Sequence, residues 1–299
     1  MKHTVEEYGL RPGAEEFPLM VVLGYVYKCN ANCPNCPYNH SQIRKGYKGK
    51  EFMPVEVFNR IADEAGPYGS VIRFTGGGEP LLHPEIFNNI EYAKSKGCKT
   101  SVITNGSKSV LPMMGVSDGV EFSVDAGTEE DYKTARPGLS WDKLNANAEE
   151  ARKNQQGTKI IASVINQKGI DVEKAKEYWK DKVDVVQIRK FLTWGYNEDN
   201  SADDTPYLPP EKTVPCPWLF ERIYVDAHGD VTYCNANINL DNAFANIKDR
   251  TIKEIWTGEE MTELRNKHIS GKGHEFPMCQ RCPDWQFRSW THNYWKLVK

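Results

Sequence analysis

Seven of the eight cysteines in this 299-residue sequence fall into two groups whose spacing suits metal chemistry. Cys29, Cys33 and Cys36 lie within nine residues, CNANCPNCP, spaced Cys-x3-Cys-x2-Cys. Three thiolates are one fewer than a four-coordinate ion takes. The loop therefore reads as a zinc knuckle or a structural loop, as a redox pair with a neighbour, or as a metal site left open on one side. A compact run of thiolates also suits an iron–sulfur cube, where three cysteines leave one iron free for a ligand from outside the protein. Downstream, TGGGEP (Thr75 to Pro80) offers Gly77 and Gly78, which let backbone approach a ligand closely. Beside them Glu79 provides a carboxylate for an ammonium group, and TNG follows at Thr104 to Gly106. The second group is Cys216, Cys234 (in a Gly229-x4-Cys unit) and the pair Cys279 and Cys282 of CQRC. Four thiolates make either a closed structural zinc site or a fully ligated cluster.

These residues have to be positioned by regular elements. PLMVVLGYVY reads as a buried strand leading directly into Cys29. MPVEVFNRIADEAG has helical apolar spacing (Val57, Ile61, Ala62) and a stop at Gly66. SVIRFT is a strand ending in the glycines. Ile86, Ile90 and Ala93 keep a helical period to Gly97, and KTSVIT is the next strand. GVEFSVD, WDKLNANAEEARKN, KIIASVIN, DVEKAKEYWKD and VDVVQIR continue the alternation of strand and helix. Such alternation predicts repeated βαβ units with a parallel sheet, and functional groups on loops at the strands' C-terminal ends. Six units before Phe191 are too few for a closed eight-unit barrel, so an open, partial (β/α)6 barrel is expected. From Trp194 the pattern changes to the polar, proline-bearing GYNEDNSADDTPYLPPEK. A hairpin, ERIYVDAHGDVTYC, then turns at His228-Gly229, and TIKEIWTGEEMTELRNKHISG is an amphipathic helix with a break near Gly258. The expected division is a barrel domain at 17–204 and a small α+β domain at 205–299.

Composition narrows the function classes. The chain is 39% hydrophobic and 26% charged with net charge -3, and no basic stripe of the kind nucleic-acid binders carry is visible. The longest apolar run is too short to cross a bilayer, and the N-terminus carries acids without an apolar h-region. A reducing cytoplasm is expected, where cysteines serve metals or catalysis rather than disulfides.

With CNANCPNCP followed one strand later by GGGEP, the sequence resembles the radical S-adenosylmethionine (SAM) superfamily over Pro18 to Arg189. The resemblance implies that Cys29, Cys33 and Cys36 hold a [4Fe–4S] cluster whose free iron is chelated by SAM. It implies that Gly77, Gly78 and Glu79 contact the methionine ammonium, that Ser123 and Asp125 lie near the ribose or carboxylate, and that Asn166 lies near the adenosyl group. One position departs from the family pattern. The residue before the last cysteine, usually aromatic or apolar and packed on the adenine, is Asn35 here. The pattern C…GDVTYC…FANI…IKEIW…LRNKH…CQRC resembles the SPASM extension in its shortened form, the twitch domain. Full SPASM domains carry seven cysteines and two auxiliary clusters. No cysteine follows Cys282, so the resemblance implies one auxiliary [4Fe–4S] cluster, saturated by Cys216, Cys234, Cys279 and Cys282 and suited to electron transfer.

Within that family a dehydrogenase sends an electron from the substrate radical to an acceptor, and a saturated auxiliary cluster is a suitable one. The architecture resembles twitch-type dehydrogenases that oxidise a secondary alcohol of an aminocyclitol or sugar, with a flavodoxin- or ferredoxin-type protein as reductant. An epimerase needs a hydrogen donor, usually a thiol. Cys98 is the unassigned one, and it sits at the wrong, N-terminal end of its strand. Peptide maturation is a third reading, set back by the short stretch before Cys29. Arg189, ending the sixth strand, is the candidate catalytic residue, pairing a carboxylate or an alkoxide, with a structural salt bridge as the other reading. His40 and His83 read as polar loop residues, and DWQFRSWTHNYW as a closing arm or a lid.

Overall fold

The apolar residues of the first strand, Met20 to Leu23, are all buried, as expected of a strand with neighbours on both edges and layers on both faces. The computed structural model describes residues 9–39, 51–193, 214–235 and 243–282. His40, the polar stretch 195–212 and the aromatic tail 284–295 lie outside the described residues. Strands β1 (Met20–Gly24), β2 (Val71–Thr75), β3 (Lys99–Thr104), β4 (Gly119–Ser123), β5 (Lys159–Asn166) and β6 (Val185–Lys190) form a parallel series in chain order. Helix α1 (Val55–Ala65) links β1 to β2, and α2 (Ile86–Ser95) links β2 to β3. Helices α3 (Glu129–Ala135) and α4 (Trp141–Lys153) link β4 to β5, and α5 (Val172–Trp179) links β5 to β6. Between β3 and β4 the described connection carries a single 3-10 turn, Leu111–Met113. The alternation read from the sequence is thus the open parallel barrel expected.

Side-chain periodicity along the strands separates two environments. Ile72, Phe74, Val102, Val120, Phe122, Ile160, Ala162 and Val164 join the helices in one core. Arg73, Ser101, Glu121 and Ser163, at the alternate positions, turn to the inner face and are buried there. Helix starts are fixed locally. Thr128, Ser140 and Asp171 each accept a hydrogen bond from a first-turn backbone N–H of α3, α4 and α5.

The C-terminal region continues the same sheet. The expected hairpin is present as β7 (Arg222–Asp226) and β8 (Asp230–Thr232), with Gly229 at φ 83° in the turn. Its first strand pairs parallel with β1, Met20 opposite Arg222 and Gly24 opposite Asp226. With β9 (Ala245–Asn246) the order is β6-β5-β4-β3-β2-β1-β7-β8-β9. The predicted amphipathic helix is two, α6 (Ile252–Thr257) and α7 (Glu259–Ile269), parted at Gly258. A reciprocal Thr251–Glu254 capping box opens α6. Helix α8 (Pro277–Arg281) carries Cys279. Among the described residues no helix is long and apolar enough to cross a membrane.

Candidate active site and second thiol site

Three loops meet at the C-terminal ends of β1, β2 and β3. In the cysteine loop the Cys36 N–H donates to the Cys33 carbonyl (3.1 Å), the Asn39 N–H to the Cys36 carbonyl (3.0 Å), and Asn39 Nδ2 to the Cys33 carbonyl (2.9 Å). The GGGEP loop presses on it. The Glu79 N–H donates to the Lys28 carbonyl at 2.9 Å. A Cβ on Gly78 would stand 2.0 Å from that carbonyl oxygen, and one on Gly77 would stand 2.4 Å from the Tyr38 ring. The glycines therefore admit the neighbouring loop, a requirement that exists before any ligand arrives.

Glu79 is buried, and its carboxylate accepts from Thr104 Oγ1 (2.7 Å), the Asn105 N–H (2.7 Å) and the Leu81 N–H (3.1 Å). Burial pushes its pKa up, against the pull of these three donors. Asn105 Nδ2 in turn donates to Asn30 Oδ1 (2.9 Å), and Asn30 Nδ2 to Ser107 Oγ (2.9 Å). GGGEP, TNG and the cysteine loop are thereby one hydrogen-bonded unit.

A second cluster of groups comes from β4 and β5. Asp125, just past β4, adopts φ 50° and is buried. Its Oδ1 accepts from the Ile165 N–H (2.9 Å) and its Oδ2 from Arg136 Nη2 (2.5 Å). Arg136 Nη1 lies 3.8 Å from Cys33 Sγ. Burial pushes the Cys33 thiol up, with Arg136 pulling the other way, and burial pushes Cys36 up to about 11. Ligation therefore has to displace the thiol protons. Arg136 was not singled out from the sequence; it follows α3, a short helix that the apolar period also missed. Its Nε, and the hydroxyl of Tyr132 on the same helix, are buried without a partner among the described residues. Ser123, at the end of β4, lies opposite Ser163 of β5, and Asn166 closes β5. The Asn35 carboxamide donates to Gln167 Oε1, one residue beyond Asn166. A hydrogen bond to the end of β5 thus accounts for the unusual Asn35.

Below the loops, Glu121 bridges two guanidiniums, Arg73 Nη2 at 2.8 Å and Arg189 Nη2 at 2.7 Å. Arg189 Nε also donates to Ser163 Oγ (2.8 Å). Arg189 thus makes the salt bridge, while its side chain stays 33% exposed and its Nη1 has no partner among the described residues. His83 is a structural residue: Nδ1 accepts from the Glu85 N–H, Nε2 donates to the Met53 carbonyl, and the ring stacks on Tyr25. Cys98 is buried at the far end of β3, its Sγ donating to the Ala62 carbonyl of α1 (3.4 Å), and burial pushes its pKa to about 12.

In the C-terminal region Cys216 precedes the 3-10 turn Pro217–Phe220, Cys234 follows β8, and Cys282 caps α8. The Cys216 N–H donates to His268 Nδ1 (3.5 Å), and His268 Nε2 lies 3.2 Å from Cys279 Sγ. Cys234, Cys279 and Cys282 pack against the core that includes Cys216. Among the described residues no three Cys, His, Asp or Glu side chains converge on a single point. Both sets fit a cluster in donor chemistry, soft thiols on a loop or around a hairpin. The orphaned Arg136 Nε and Tyr132 hydroxyl beside Cys33 fit a polar ligand.

Two family models match the chain: the radical SAM superfamily over residues 25–178 and an iron–sulfur cluster-binding domain, SPASM, over residues 216–283. The chain is similar to the PqqA peptide cyclase of Xanthomonas campestris pv. campestris (strain 8004), 23% identical over 316 aligned positions that cover 90% of this chain and 81% of the relative. Among solved structures, BtrN in complex with AdoMet and 2-DOIA has a TM-score of 0.57 at 16% identity, covering 90% of this chain and 94% of that one. Streptococcus suis SuiB bound to S-adenosylmethionine has a TM-score of 0.67 at 16% identity, covering 84% and 68%.

Two outcomes are expected from this geometry. Gly78→Ala drives a methyl into the Lys28 carbonyl and should reduce iron uptake at the Cys29 loop while sparing the C-terminal set, read as iron per chain after reconstitution. Glu121→Gln strips the counter-charge from the buried Arg73 and should lower the unfolding free energy by about 3 kcal/mol in urea titrations at neutral pH; the partly exposed Arg189 adds less. Burial acts to raise the Glu121 pKa, but Arg189 and Arg73 outweigh it and hold the group below its ordinary 4.5. The wild-type advantage is therefore complete above that value and closes only as pH falls through the lowered one.

Proposed function

Because the chain belongs to the radical SAM superfamily and its C-terminal region matches an iron–sulfur cluster-binding domain, we propose that this enzyme abstracts hydrogen from a small polar substrate and oxidises it, as with a secondary alcohol of a sugar or aminocyclitol. When bound, the SAM-ligated [4Fe–4S] cluster supplies a 5′-deoxyadenosyl radical and the auxiliary cluster a one-electron acceptor. Cys29, Cys33 and Cys36 hold the first. Cys216, Cys234, Cys279 and Cys282 hold the second. Gly77, Gly78 and Glu79 shape the methionine end of the SAM pocket, with most of the Glu79 carboxylate committed to the loops. Ser123, and Asp125 with its partner Arg136, line the carboxylate and ribose side, and Asn166 lines the adenosyl side.

The observation that carries the reading is the polar inner face of the barrel. Arg73, Ser101, Glu121, Ser163 and Arg189 form a hydrogen-bonded belt there. The open Nη1 of Arg189 can donate to a substrate hydroxyl oxygen and orient it. Such a surface suits a hydroxylated molecule rather than an apolar one. Epimerisation is disfavoured because Cys98 is sealed against α1, outside the barrel. A second reading, modification of a peptide, is favoured by the relatives, a PqqA peptide cyclase and SuiB solved with precursor peptide SuiA.

Anaerobic reconstitution should yield about eight irons per chain, two cubanes' worth, with 5′-deoxyadenosine formed from SAM under a flavodoxin or ferredoxin reductant. Bound zinc without SAM cleavage would sink the proposal. In deuterated water, Cys98→Ala should leave the product pattern unchanged; solvent deuterium in the product that disappears on mutation would make the enzyme an epimerase instead.

A further inference from the structure

The residue that the function does not absorb is His268, on α7. Its ring is buried, and each nitrogen faces a group from the second thiol set. The Cys216 N–H donates to Nδ1. A backbone N–H has no other role to play, so Nδ1 carries the lone pair and the proton of the neutral ring resides on Nε2. Nε2 then points its N–H at Cys279 Sγ across 3.2 Å. The ring is also held from the side. A Cβ on Gly273 would lie 2.7 Å from Cε1 and 2.8 Å from both nitrogens, so only a glycine lets that segment lie against the imidazole. A buried ring fixed by a backbone donor and a glycine contact presents its remaining N–H in one direction.

We propose that His268 is a positioning residue that donates an Nε2–H···Sγ hydrogen bond to Cys279 and thereby raises the reduction potential of the auxiliary cluster. The inference rests on the reading that Cys216, Cys234, Cys279 and Cys282 ligate that cluster. Hydrogen bonds to cluster sulfurs draw electron density from the thiolate and stabilise the state carrying the extra electron, which moves the potential upward. A closed cluster whose task is to take one electron from a substrate radical benefits from that shift. The contact also joins Cys216 to Cys279, residues far apart in sequence, through one side chain.

The test uses the full chain with Cys29, Cys33 and Cys36 replaced by alanine, so that the auxiliary cluster alone gives the EPR signal. In redox titrations His268→Phe should move the midpoint to a more negative value, and His268→Gln, which keeps an N–H donor, should return it toward the parent. A Phe variant with full iron at the parent potential overturns the proposal. A measurement on the unmutated His268 does not depend on whether the Phe variant assembles. With 15N-histidine label, pulsed EPR of the reduced cluster should detect one weakly coupled nitrogen and an exchangeable proton lost in deuterated water. Absence of both couplings, or a strong coupling from direct imidazole ligation, overturns it. If the triple-alanine chain binds no iron, the four-cysteine reading falls and the inference with it. A bound cluster lacking the histidine signature removes the inference alone.

Discussion

A buried carboxylate with three donors holds the upper end of the barrel together. Glu79 comes from the loop after β2, yet it accepts from Thr104 at the end of β3 and from Asn105 just beyond it, and Asn105 reaches Asn30 in the cysteine loop. A buried carboxylate is tolerable only when hydrogen bonds replace its water, so the three loops are obliged to meet. Their meeting in turn requires glycine at 77 and 78, where any side chain would collide with Tyr38 or Lys28. The thiols of Cys29, Cys33 and Cys36 inherit their placement from that arrangement rather than from their own loop, whose internal hydrogen bonds span only a few residues.

The same economy of charge runs through the barrel interior. Arg73 and Arg189 share Glu121, and Arg136 shares itself between Asp125 and the neighbourhood of Cys33. Each acid sits on or just beyond β4 and each base reaches it from elsewhere, so β4 acts as the anionic rail of the site. Buried pairs of this kind contribute less net stability than their distances suggest, because both partners were taken out of water. Their effect is to fix side-chain direction where a ligand needs fixed donors.

Periodic features were legible from residues alone. The alternation of strand and helix, the turn at Gly229 and the helix break at Gly258 all rest on local rules of period and glycine conformation. The thiol sets and GGGEP were legible because unusual residues cluster in short windows. What escaped was pairing at a distance. Nothing near Arg136 announces Asp125, and no spacing tells that Asn35 meets Gln167 or that His268 meets Cys279. Arg189 was visible as a candidate, but its bond to Glu121 depended on β4 and β6 lying on either side of β5. The role of the glycines was half legible: their need for space was clear, while the occupant of that space, another loop, was not.

The parallel pairing of β7 with β1 carries a consequence for how the chain is made. β1 leads into the cysteine loop, and one of its two edges pairs with residues 222–226. During synthesis that edge stays open until roughly two hundred further residues have emerged, a pairing of very high sequence separation that is slow by nature. An apolar strand waiting with a bare edge is the kind of segment that recruits other chains. The last strand to join the parallel series therefore also closes the first, and a nascent chain stopped before it would hold its open-sided cysteine loop on an unfinished sheet.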